Sequence, residues 1–265
     1  MFCLKRLPFL IVLTGFIFTA CSGRGAGPEA RTLTVYAAAS LTEALNEIGV
    51  VFAEKHPGLL LTFNFGGSQN LRTQLEQGAA ADVFASASDR EMEALVDQKL
   101  VASDAPKVFL TNRLVLVLPE DDPAGIASLE DLARPGLKLV LAAEEVPAGR
   151  YARQVLENLN GRFGANYRDR VLANVVSNED NIRQAVTKVQ LGEADASLVY
   201  VSDAVAVPEL RKIEIPADAN VIAEYPIAPL VESANPALAE EFIAYVLSPA
   251  GQAILEKWGF TPVAR

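Results

Sequence analysis

The stretch Leu33-Thr34-Val35-Tyr36-Ala37-Ala38-Ala39-Ser40-Leu41-Thr42-Glu43 decides the fold. It opens as a short apolar strand, 33–36, and passes through three alanines into a helix. Ser40 and Glu43 have the S-x-x-E spacing of a capping box, which puts Ser40 at the helix N-cap. The helix predicted over 41–55 carries Leu41, Ala44, Leu45, Ile48 and Phe52 at i, i+3, i+4, i+7 and i+11, the spacing of one buried face. A strand that turns into a helix over small residues is the repeating unit of an α/β protein.

The same unit recurs outward from there. Leu61, Phe63 and Phe65 alternate as a strand, followed by a helix at 69–77. A strand is predicted at 82–87, and Ser88 and Glu91 have capping-box spacing for a helix at 89–98. In the second half, strands are predicted at 114–118, 137–142, near 174–176 and at 196–200, with helices at 128–132, 148–159 and 180–191. Residues 221–229 are extended. Two closing helices follow, the first capped by Asn235 with Pro236 behind it, the second running from Pro249 to a stop at Gly259. The order predicts an α/β fold with largely parallel sheets.

The chain begins differently. Lys5 and Arg6 precede a 12-residue apolar run, 7–18, and small residues then lead to Cys21. The run is short for a membrane span, which needs ~20 residues, and residues 1–20 read as a secretory signal. Phe18-Thr19-Ala20-Cys21 resembles a bacterial lipobox, which implies cleavage before Cys21 and its acylation. Residues 21–31 then form a small, polar, Gly-rich tether. Removing 20 of the 265 residues leaves 245, more than a typical single domain, so two lobes are expected. Cys3 leaves with the signal, so no thiol pair remains for a disulfide. Losing Lys5 and Arg6 takes the formal net charge from −10 to about −12.

That acidity excludes an ordinary nucleic-acid binder, which shows a basic patch or stripe. One histidine, His56, and two cysteines leave no thiolate or histidine-cluster metal site. An enzyme on this chain lacks a histidine partner for a serine nucleophile and lacks a Ser-x-x-Lys pair.

In open α/β sheets ligands sit beyond the carboxyl ends of strands. Four junctions there share one chemistry: Ala39-Ser40, Gly66-Gly67-Ser68, Val146-Pro147-Ala148-Gly149 and Asp180-Asn181-Ile182-Arg183. Each places small or uncharged residues at a helix start, where free N–H groups carry roughly +0.5 charge. That is an anion site built without cations. Tyr200, ending the strand at 196–200, adds a phenolic donor. Taken singly, each serine is an ordinary N-cap, and Gly66-Gly67-Ser68 has no following Lys-Ser/Thr and is no P-loop. The combination in a secreted two-lobed chain is what points to an anion.

Five ordered strings carry a family resemblance: Val35-Tyr36-Ala37-Ala38-Ala39-Ser40-Leu41, Ala81-Asp82-Val83-Phe84-Ala85-Ser86-Ala87, Val146-Pro147-Ala148-Gly149-Arg150-Tyr151-Ala152, Asn181-Ile182-Arg183-Gln184-Ala185 and Leu198-Val199-Tyr200-Val201-Ser202-Asp203-Ala204. With the ending Leu247-Ser248-Pro249-Ala250-Gly251-Gln252, they resemble the substrate-binding proteins of molybdate ABC importers over about residues 32–263. The resemblance implies a type II periplasmic-binding-protein fold, with lobe I at 32–111 plus 225–265 and lobe II at 112–224. It implies a molybdate site of Ser40, Ser68, Ala148, Ile182 and Tyr200, with Ala148 and Ile182 acting through backbone N–H groups and Gly67 able to share the role of Ser68. The implied ligand is molybdate or tungstate, with no cofactor. The implied partners are an ABC permease and, through a lipid on Cys21, the outer side of a membrane. A monomer is expected.

A fully deprotonated oxyanion only accepts hydrogen bonds, so an all-donor site suits it. Hydrogen phosphate also needs an acceptor for its proton, and none of the five residues is Asp or Glu. Sulfate differs from molybdate mainly in size, so a binder of sulfate or another tetrahedral oxyanion stays open on residue chemistry alone. The negative net charge is not decisive, because charges beyond a Debye length of ~8 Å are largely screened. Arg150 and Arg183 are expected to pair with acidic neighbours or face solvent, His56 to sit at the surface beside its helix end, and Asp203 to cap. Trp258 and Phe260 are expected to pack in the core.

Overall fold

The computed structural model describes residues 31–263. The predicted signal, Cys21 and the tether up to residue 30 lie outside the described residues, and Arg31 already belongs to the first strand.

In chain order the elements are β1 (Arg31–Ala38), α1 (Thr42–Glu54), β2 (Leu59–Gly66), α2 (Ser68–Glu76), β3 (Val83–Ala85), α3 (Asp89–Asp97), β4 (Lys107–Asn112), β5 (Leu114–Leu118), β6 (Leu139–Ala142), α4 (Pro147–Phe163) and α5 (Tyr167–Leu172). There follow β7 (Val175–Glu179), α6 (Ile182–Gln190), β8 (Ser197–Tyr200), α7 (Val201–Ala206), β9 (Arg211–Glu214), β10 (Ala223–Pro229), α8 (Pro236–Leu247), α9 (Pro249–Lys257) and β11 (Thr261–Pro262).

The opening unit folds as its pattern requires. Leu33, Val35 and Ala37 point from β1 into the core, and the face of Leu41, Ala44, Leu45, Ile48 and Phe52 closes over them. β1 is flanked in parallel by β2 and β3, with Val35 opposite Phe63 and Val83. The six-stranded sheet has the order β11-β4-β10-β3-β1-β2.

A second group of strands, all from residues 114–214, comprises β8-β5-β9 and the parallel pair β6-β7. A parallel bridge between Leu139 and Ala196 joins them. Only Arg113 separates β4 in the first sheet from β5 in the second.

The sheets are mixed rather than largely parallel. β10 runs antiparallel to β3 and β4, β11 to β4, and β5 to β8 and β9. Antiparallel neighbours need no helical crossover, so a chain that passes between sheets directly along its strands produces them.

Local capping also departs from the sequence pattern. Residues Ala39–Leu41 form a 3-10 turn, α1 starts at Thr42, and Ser40 makes no capping bond. Thr42 Oγ1 instead donates to the Ala39 carbonyl at 2.7 Å. The Ser88–Glu91 box does not close either. Glu91 accepts from Arg72 Nε at 2.9 Å, a charge-assisted bond stronger than one to a backbone N–H. The box that does form joins Ser128 to Asp131. Asn235 precedes Pro236 as predicted, but its side chain donates to the Thr32 carbonyl at 2.8 Å. His56 is mostly buried rather than at the surface, its ring tilted against that of Phe52 with centroids 4.2 Å apart. Phe260 is buried, and Trp258 packs against the core while its Nε1 donates to Glu47 at 2.8 Å.

Candidate functional site

Six strands, three from each group, deliver their carboxyl ends to one place. β1 brings Ser40, β2 brings Gly67 and Ser68, and β3 brings Ala87. From the other side β6 leads to Ala148, β7 to Ile182 and β8 to Tyr200. These residues line a single small pocket of about 10 Å³, and all five residues singled out in the sequence are among them.

Each wall has a local cause. Gly67 is the N-cap of α2, so Ser68 opens the helix with its N–H free of any intrahelical acceptor. Pro147 takes the first position of α4, where its missing N–H costs nothing and its fixed φ suits the helix, and Ala148 follows. Gly149 is required by packing, because a Cβ there would stand 2.0 Å from the Ala143 carbonyl oxygen. Asn181 caps α6 by accepting from Gln184 N–H at 3.2 Å, leaving the N–H of Ile182 in the first turn. Three helix starts thus aim free amides and positive dipole ends at one volume.

The hydroxyls complete it. Ser68 Oγ accepts from Ala87 N–H at 3.0 Å, and Ser40 Oγ lies 3.0 Å from Tyr225 Oη. Tyr200 Oη is buried without a hydrogen-bond partner, and its ring stands edge-on to that of Tyr225 with centroids 5.7 Å apart. Burial first, then the phenols of Tyr225 and Tyr151, push the Tyr200 pKa well above its usual value, so it keeps its proton and can donate.

Among the described residues no charged side chain lines the pocket. Arg183 pairs with Glu43, stands 3.2 Å from Asp203 and donates to the Ala39 carbonyl at 3.4 Å. Arg150 donates to Ser88 Oγ at 2.9 Å and lies 3.8 Å from Glu91. Both arginines pair with acidic neighbours as expected, and both reach from the second group of strands to the first. Asp203 is not a cap: it is fully buried, and burial pushes its pKa up to about 6 against the opposing pull of Arg183. Gln69 spans the cleft as well, its Nε2 donating to the Asp180 carbonyl at 3.1 Å.

Sequence reasoning missed Tyr225, Ala87 and Gln69. Tyr225 lies 185 residues from Ser40, and no local pattern links them. Ala87 contributes a backbone group, which any residue type could supply. Gln69 sits one residue past Ser68, and only its neighbour across the cleft gives it meaning.

Among the described residues no group of three or more His, Cys, Asp or Glu side chains could hold a metal ion. No helix there is long and apolar enough to cross a membrane. The pocket between the two groups of strands is small, free of charged side chains in its lining, and faced by hydrogen-bond donors.

The comparisons agree. The chain belongs to the bacterial extracellular solute-binding protein family, which matches residues 33–261. It is 40% identical over 251 residues to the molybdate-binding protein ModA of Mycobacterium tuberculosis, covering 94% of this chain and 92% of that one. The periplasmic molybdate-binding protein of Azotobacter vinelandii superposes with a TM-score of 0.76 at 22% identity, over 88% of this chain and all of that one. The sulfate-binding protein SubI of Mycobacterium tuberculosis superposes with a TM-score of 0.78 at 18% identity, over 88% and 87%. The resemblance read from the sequence is borne out, and so is the α/β binding-protein fold. The protein is a solute-binding component and not an enzyme.

Proposed function

We propose that the protein captures molybdate, and tungstate with it, outside the cytoplasm and hands it to the permease of an ABC importer. One observation carries this: a buried pocket of neutral donors, with no charged side chain in its lining, in a chain 40% identical to a molybdate-binding protein. Ser40, Ser68 and Tyr200 give hydroxyl donors, and Ala148 and Ile182 give backbone N–H groups. An ion whose oxygens carry no proton accepts from all of them.

In this reading residues 32–111 with 225–265 form lobe I, and residues 112–224 form lobe II. The pocket has room for about one water molecule. A tetrahedral oxyanion therefore enters with the lobes apart and is held with the walls set slightly wider. The bridges from Arg183, Arg150 and Gln69 re-form as the lobes close, and the hinge lies at the strand crossings. The monomer, with a lipid on Cys21 as its anchor, meets the permease at the outer membrane face.

Sulfate is the second reading, favoured by the superposition on SubI, since a common fold does not separate ions of one shape and charge. Calorimetry of delipidated protein with molybdate, tungstate, sulfate and phosphate tests both. Molybdate and tungstate are expected to bind far more tightly than sulfate; equal binding of sulfate would overturn the molybdate reading. Ser40→Ala and Ser68→Ala each remove a donor to a buried charge and should weaken molybdate binding by roughly 1.5–3 kcal/mol.

A further inference from the structure

The side chains that cross the cleft are not equal. Gln69 donates one neutral bond, to the Asp180 carbonyl at 3.1 Å. Arg150 donates to Ser88 Oγ at 2.9 Å and stays 3.8 Å from Glu91, a carboxylate that Arg72 already holds at 2.9 Å. Parting either contact leaves no carboxylate without its cation. Arg183 differs. It pairs with Glu43, and among the described residues the Glu43 carboxylate has no other partner.

Both charges also have a resting place on their own side. Arg183 sits in the first turn of α6, where no acidic residue accompanies it and the helix dipole opposes a cation. Fully buried Asp203 on α7 holds it there, with Oδ1 3.2 Å from Nε. Both residues lie within 112–224, so the guanidinium stays aimed when the two sides part, and little side-chain freedom is lost when they meet. Glu43 lies in the first turn of α1, where the dipole favours a carboxylate. A pair whose members are each supported apart can make and break repeatedly. Its placement ties it to the pocket on both walls. Arg183 follows Ile182, Glu43 comes three residues after Ser40, and Arg183 Nε donates to the Ala39 carbonyl at 3.4 Å. Neither charged side chain lines the pocket, so the pair acts on closure without touching what is held inside.

We propose that Glu43 is a positioning residue whose pair with Arg183 clasps the closed cleft and sets how slowly the bound ion leaves, with no part in its capture. The inference rests on the reading that the lobes close over an oxyanion in this pocket. The ion enters while the lobes are apart and the pair is unmade; the pair has to break before the ion departs.

The test is stopped-flow measurement of molybdate capture and release on wild type, Glu43→Gln and Glu43→Asp, with thermal melts of each protein with and without molybdate. Release from Glu43→Gln is expected to be about fivefold faster, the upper end of what a partly exposed ion pair contributes. Removing a negative charge near an anion would by itself slow release, so the expected change has the opposite sign to a simple charge effect. Glu43→Asp keeps a carboxylate facing Arg183 and is expected to release at close to the wild-type rate. Capture rates and the melting temperature of the unliganded protein are expected to stay at the wild-type values in both variants. Unchanged or slower release in Glu43→Gln overturns the inference and leaves the site reading standing. An equal melting loss with and without molybdate overturns it too, since it makes the pair a permanent structural contact. Undiminished molybdate affinity in Ser40→Ala and Ser68→Ala would instead sink the site reading itself.

Discussion

Gly67 marks the point where the two walls of the pocket touch. A Cβ there would lie 2.5 Å from the Asp180 carbonyl oxygen and 2.6 Å from the Gln69 amide. The carbonyl belongs to the far wall and cannot swing aside as a flexible side chain can. Gly67→Ala therefore obstructs closure and is expected to weaken oxyanion binding by about 1–3 kcal/mol, the usual range for overpacking, with a smaller loss of melting temperature. A thermal melt alongside a titration checks this; a large melting loss with intact binding would contradict it. At this scale the sequence was legible in residue type and not in partner. Ser40 looks like an N-cap because S-x-x-E is a local pattern, whereas its actual bond reaches 185 residues along the chain. Ser88 fails as a cap for the same reason, since Arg150 from a distant helix takes its hydroxyl.

Among elements, α6 does more than present an N–H. It carries Arg183, which bridges to Glu43 on α1 and to buried Asp203 on α7. Arg183→Ala leaves the Asp203 carboxylate buried without a counter-charge and is expected to cost about 3 kcal/mol of folding stability. Chemical denaturation measures it, and adding Asp203→Asn should recover part of the loss. The long helices were legible because their apolar faces are periodic, as in α1. Short elements such as α5, α7 and β9 carry too few residues to show a period. The antiparallel neighbours of β10 and β5 are set by how distant segments return, which strand order along the chain does not reveal.

The whole molecule has a pH signature set by carboxyl groups with raised pKa values. Asp203 and Asp89 are both pushed up to about 6, each mainly by burial, with Glu224 adding to the second. Unfolded, both titrate near ~3.9. Between about pH 4 and 6 the folded protein binds more protons than the unfolded chain, so stability falls as pH rises through that window. Glu47 and Asp131 are lowered, by bonds from Lys257 and from the Ser128 backbone, so their contribution is lost only under more acidic conditions. The melting temperature is expected to be higher at pH 5 than at pH 7, and Asp203→Asn should flatten the trend. Identical slopes in the two proteins would remove Asp203 as its source.

The tightness of the closed cleft has one more consequence. Gly67 and the Asp180 carbonyl meet so closely that on this side of the pocket a substituent has no room to trail. A bare inorganic ion is expected to fit whole. An alkylated one, a phosphonate or a sulfonate, keeps its tail outside and acts as a wedge, and small-angle scattering would find the two halves splayed around it.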